Sequence, residues 1–94
     1  MTLDKARLYD EVNLFQVHVQ VLNVHELMRL ETKLNKVGRV TLKIEVPGAD
    51  EKYRPTIRSA LFLVAVKQGD IQRFKAMLKL LDREMRSRLS YLPL

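Results

Sequence analysis

The sequence predicts an α+β fold. The expected architecture is a two-layer sandwich in the order β-α-β-β-α, with a three-stranded mixed sheet covered on one face by two helices. Three observations carry this. Two segments, "LFQVHVQV" and "RVTLKIEV", alternate apolar and polar residues with the period of a half-buried strand. Two longer segments place apolar residues at helical spacing. A run of seven, "ALFLVAV", is apolar on both sides and ends at a turn.

The first strand occupies residues 13–22. Phe15, Val17, Val19 and Val21 lie on one face, and Gln16, His18 and Gln20 lie on the other. Valine is β-branched and suits a pleated surface. Read as a helix, the same segment would spread its valines around all sides. Asn23 then caps a helix, and Glu26 three residues on completes a capping box. Leu27, Leu30, Leu34 and Val37 share one arc of that helix. Gly38 is a natural stop, because glycine takes the left-handed conformation freely.

In the second strand Val40, Leu42, Ile44 and Val46 alternate with Thr41, Lys43 and Glu45. Pro47-Gly48 ends it with turn chemistry, and a polar loop of ten residues allows a hairpin with the third strand. That third strand is "ALFLVAV", residues 60–66. Asp70 caps the last helix. Ile71, Phe74, Met77, Leu78, Leu81, Met85 and Leu89 fall in an arc of about 120°, giving room for about five turns before Pro93. A strand–helix–strand crossover sets the first two strands parallel in one sheet.

A chain of 94 residues is one domain, 1–94: an arm or short helix over 1–12 and an α+β core over 13–91. A domain this small buries roughly 60–70% of its unfolded surface, so a partner subunit would add stability. There is no cysteine, which excludes disulfides and thiolate metal sites and allows a reducing cytoplasm. No apolar run approaches the roughly 20 residues of a membrane helix, so no membrane partner is expected.

The formal charge of +6 is uneven. Residues 1–51 carry seven Lys or Arg against eight Asp or Glu, a net of −1. Residues 52–94 carry ten Lys or Arg against Asp70, Asp82 and Glu84, a net of +7. Such a half favours a polyanionic partner, RNA or DNA. The binding candidates are Lys52, Arg54, Arg58 and Lys67, with a stripe of Lys75, Lys79, Arg83 and Arg86 along the last helix. No aromatic is interleaved in the stripe, so the expected binding is backbone-directed and salt-dependent. A merely solvated helix face would show the same stripe.

The sheet face away from the helices is expected to be wet on the first two strands, with Gln16, His18, Gln20, Thr41, Lys43 and Glu45. The third strand adds an apolar row to it, either Leu61, Leu63 and Ala65 or Phe62, Val64 and Val66. One row packs under the helices. The other awaits a partner or the N-terminal segment. Leu61, Leu63 and Ala65 are the interface candidates.

Catalytic patterns are missing. His18 and His25 lack metal-ligand spacing and read as solvated residues. Ser59, Ser87 and Ser90 have no base at recognisable spacing, and three scattered glycines make no phosphate loop. The chain is therefore expected to be no enzyme and to need no metal or cofactor. A small enzyme or regulator using His18 is the least favoured class.

"ALFLVAVKQGDIQRFKAMLKLLDREM" resembles the third strand and last helix of the small dimerising subunit of the KEOPS complex. That complex makes threonylcarbamoyladenosine on transfer RNA in archaea and eukaryotes. The family pattern runs from an apolar strand into Asp, Ile or Leu, two variable residues and Leu-Arg-Ala, then Asn-Ser after two more. Asp70, Ile71 and Ala76 match, with Phe74 and Lys75 as conservative stand-ins. Lys79 and Leu80 replace Asn-Ser, and Glu84 replaces a frequent tryptophan, as in a divergent member or paralogue. The resemblance covers residues 13–91 at most. It implies a non-catalytic subunit that pairs with itself or a paralogue, binds the catalytic subunit and helps to hold transfer RNA. The alternative is a stand-alone basic dimer that binds nucleic acid.

Overall fold

The computed structural model describes residues 11–47 and 56–94. The strands are β1 (Val12–Asn23), β2 (Arg39–Pro47), β3 (Thr56–Lys67) and β4 (Leu89–Pro93). The helices are α1 (Val24–Val37) and α2 (Ile71–Glu84), the latter entered through a 3-10 turn at Gln68–Asp70. Much of the expected 1–12 arm lies outside the described residues. No helix among those described is long and apolar enough to cross a membrane.

The sheet has four strands in the order β2-β3-β1-β4, one more than the sequence pattern suggests. Every neighbouring pair is antiparallel, so the sheet is not mixed. β1 and β2 do run the same way, since both oppose β3, but β3 lies between them. β1 separates β3 from β4 in the same manner. Two interleaved split βαβ units result, the β-α-β-β-α-β arrangement of ferredoxin-like domains.

Both helices pack on one face. The register puts Phe15 opposite Val64, Val17 opposite Phe62 and Val19 opposite Ala60, so these side chains share a face. All are buried beneath Leu27, Leu30 and Leu34 of α1 and Phe74, Leu78 and Leu81 of α2. Phe15 meets Phe74 at 5.0 Å between ring centroids, tilted at 45°. Alternation in β1 and the leucine arc of α1 are therefore read correctly from the sequence.

The helix ends behave differently from expectation. Asn23 does cap α1, its Oδ1 accepting the Glu26 amide at 2.8 Å. The Glu26 carboxylate does not return the bond; it pairs with Arg88 at 3.1 Å instead. Asp70 makes no capping bond, because the 3-10 turn precedes the helix and its carboxylate faces Arg73 at 3.6 Å. Gly38 is extended, at φ −145°, rather than left-handed. Glycine is needed there for close approach: a Cβ would lie 2.8 Å from the Ala65 carbonyl oxygen and 2.9 Å from Val64 Cγ1.

The larger correction is at the end of α2. The helix stops at Glu84, well short of Pro93. Arg86 and Ser87 adopt φ of 53° and 63°. The Ser87 amide donates to the Asp82 carbonyl at 3.0 Å and the Arg86 amide to the Arg83 carbonyl at 3.3 Å. These are the paired bonds of a Schellman cap, with arginine where glycine is usual. The chain then reverses into β4, and Leu89 reaches the core from a strand. Arg86→Gly should thus stabilise the protein by about 1 kcal/mol, because left-handed backbone disfavours a side chain. A continuing helix would lose about as much from the same glycine. The sign of the shift in urea midpoint separates the two.

Candidate functional site

The helix-free face of the sheet is set by register and by one bulge. On β3, Phe62, Val64 and Val66 are buried under the helices, while Leu61, Leu63 and Ala65 point the other way and are half-exposed. Leu61, Leu63 and Ala65 thus lie on the open face. Leu42 lies opposite Leu63 and Ile44 opposite Leu61, so they join this row. Val46, opposite Ser59, extends it. All three β2 residues are exposed, at 44–48%.

This reverses the expectation for β2, in which Thr41, Lys43 and Glu45 were to be the wet residues of this face. The pairing shifts between Val40 and Leu42, and one extra residue turns the rest of the strand over. Thr41 occupies the bulge, its hydroxyl donating to the Leu63 carbonyl at 3.1 Å. Lys43 and Glu45 fall opposite Phe62 and Ala60, on the helix side. There Lys43 pairs with Glu31 of α1 at 3.1 Å and with Glu45 at 3.4 Å. The hydrogen bond that Lys43 donates to Glu31, helped by the attraction of both carboxylates, raises the Lys43 pKa above its ordinary value.

On β1 the same face carries Gln16, His18 and Gln20 as expected, with Leu14 beside them. Leu92 of β4 lies next to Gln16. The described rows of this face hold no carboxylate, and their cations are Arg39 and Lys67 at one end, beside Ala65. No aromatic joins them: Phe15 and Phe62 are buried on the other side, where Tyr91 also points. A sheet that reads single-stranded RNA stacks bases on such aromatics. Among the described residues this face lacks them, and it is charge-poor and apolar.

The basic candidates do not converge. Lys75, Lys79 and Arg83 are exposed on α2, on the far side of the domain from the open face. Arg86 is exposed but has left the helix. Lys67 sits at the end of β3, on the open-face side. Lys52 and Arg54 lie outside the described residues; Arg58 lies within β3, in the part whose side chains are not described. Among the described residues, ion pairs engage Lys33, Lys43, Arg73 and Arg88, but none of Lys67, Lys75, Lys79, Arg83 or Arg86.

The histidines do not form a site. His18 is half-buried between Leu61 and Ser90 of the flanking strands, and His25 is exposed in the first turn of α1. Among the described residues no group of three or more His, Cys, Asp or Glu is placed to hold a metal ion.

Two cations escape a reading by charge alone. Lys36 and Arg39 flank Gly38 and share a cleft of about 430 Å³ with Lys67. They belong to the half of the chain whose net charge is −1, which conceals them. A smaller groove between the helices, of about 140 Å³, holds Glu26, Arg29, Lys33 and Glu84. Its charges are largely satisfied within the chain, by Lys33–Glu84 at 3.6 Å and Arg88–Glu26 at 3.1 Å.

The chain matches no protein-family model, no curated protein and no solved structure.

Proposed function

We propose that this chain is a non-catalytic subunit of a cytoplasmic RNA-modifying assembly, of the kind implied by the KEOPS resemblance. It docks a protein partner through the open face of its sheet. The observation that carries this is the row of Leu42, Ile44, Val46, Leu61 and Leu63, apolar and free of carboxylates in a chain that is 30% charged. Depletion of charge is what marks the centre of a protein interface. The partner is a second copy or a paralogue, with a catalytic subunit completing the assembly. Neither metal nor cofactor is needed for docking of this kind.

Transfer RNA would meet the other side of the domain, at Lys75, Lys79, Arg83 and Arg86. Their exposure, and their freedom from ion pairs among the described residues, support that role. Four phosphate contacts give a slope of log K against log salt of about −3 to −4. Changing Lys75, Lys79 and Arg83 to glutamine should flatten it by about 2 to 3 and leave self-association unchanged. A slope that the triple change does not alter would remove the RNA-facing assignment.

Lys75, Lys79 and Arg83 of α2, which have no ion pair among the described residues, also favour a second reading, a stand-alone basic dimer that binds nucleic acid. Sizing and pull-down separate the two. Recovery of a large ATP-binding subunit and a kinase-like subunit supports the first. Tight, partner-free binding of duplex DNA and transfer RNA alike supports the second.

A further inference from the structure

We propose that the cleft at the basic end of the sheet binds a phosphate monoester carried on a small planar or apolar body, a mononucleotide being the right size. Three elements build the cleft. The last turn of α1 supplies Lys36 and Val37, the entry to β2 supplies Gly38 and Arg39, and the end of β3 supplies Ala65 and Lys67. Val12 of β1 and Asp70 of the 3-10 turn close the ring.

The charge around it is one-sided. Three cations stand against one carboxylate, and that carboxylate already faces Arg73 at 3.6 Å. Among the described residues none of the three cations has an ion-pair partner, although Lys33, Lys43, Arg73 and Arg88 all do. A sphere of 430 Å³ is about 9 Å across, close to the Debye length of about 8 Å in physiological salt, so the three charges act together on one anion. A dianion relieves their mutual repulsion. Arginine adds the planar fork that grips two phosphate oxygens at once.

The remaining wall selects for more than charge. Val12, Val37 and Ala65 are apolar, and Gly38 offers bare backbone. The volume falls in the range of about 300–1,000 Å³ typical of small-molecule sites. Inorganic phosphate alone would leave that surface wet; a nucleoside or similar body covers it. The phosphate can belong to a free nucleotide or to the 5′ end of an RNA.

The test follows the backbone amides of the full chain by NMR. The probes are adenosine monophosphate, adenosine, and a tetranucleotide with and without a 5′-phosphate. Shifts at Gly38, Arg39 and Lys67 with adenosine monophosphate at millimolar concentration support the site and a free nucleotide. The same shifts with the phosphorylated tetranucleotide alone support it and point to an RNA end. The double change Arg39→Gln and Lys67→Gln should weaken binding by roughly a hundredfold, because two charge-assisted hydrogen bonds are lost together. Arg29→Gln, on α1 and outside the cleft, should leave it unchanged. Equal binding of adenosine, shifts confined to α2, or no shifts at all would overturn the proposal.

Discussion

Val64→Gln is expected to lower the stability of the protein by about 2.5–6 kcal/mol, while Leu63→Gln, one residue earlier, is expected to leave most of it in place. Val64 is fully buried between the sheet and the helices. Losing its burial costs about 1.5–3 kcal/mol, and an amide left without a partner costs about 1–3 more. A domain of this size has only about 5–15 kcal/mol in total. Leu63 points to the open face, half-exposed, with Gln16 as its neighbour on β1 and Leu42 on β2. A glutamine there finds water and a second amide, so the cost should stay near 1 kcal/mol. If the open face docks a partner as proposed, the effect of Leu63→Gln falls on association, which should weaken at least tenfold. Urea melts and sedimentation on the two variants read both quantities. A Leu63 variant less stable than the Val64 variant would put the strand in the opposite register.

That pair of variants also marks the boundary of what the sequence discloses. The apolar run of β3 satisfies both faces, and nothing local says which row is inside. The choice is made by partners far along the chain, chiefly Phe15 and Val17 opposite Val64 and Phe62. β1 and α1 were legible because their patterns are one-sided. The β2 face was not, since the bulge after Val40 leaves no mark on an unbroken alternation from Val40 to Val46. Periodicity sets Lys43 on the open face; the bulge turns it over to Glu31 on the helix side.

The candidate site suffers from the same non-locality. Lys36, Arg39 and Lys67 become neighbours because β3 inserts between β1 and β2 and returns beside the end of α1. Lys75, Lys79 and Arg83 are legible because helical spacing alone aligns them. Charge along the sequence therefore reveals stripes on single elements and misses clusters assembled across them.

Ending the chain at Arg88 tests the element that was hardest to see. Arg86 stands where a glycine would announce a helix stop, and Leu89 falls four residues after Met85, in phase with the helical arc. Its apolar character serves the core in either conformation, so the pattern cannot tell strand from helix. In the folded chain Leu89 is buried opposite Val19, and Tyr91 packs against Phe15 at 6.4 Å between ring centroids. Removing residues 89–94 should cost about 3–6 kcal/mol, from two apolar side chains at about 1.5–3 kcal/mol each, before any loss of strand pairing. β1 would become an edge, with Gln16, His18 and Gln20 on one side and an uncovered core on the other. Such an edge pairs with other chains, so aggregation should accompany the fall in melting temperature. If the truncated protein instead melts as the whole chain does and stays dispersed, β4 is not integral to the sheet. The three-stranded architecture would then suffice to hold the open face in place.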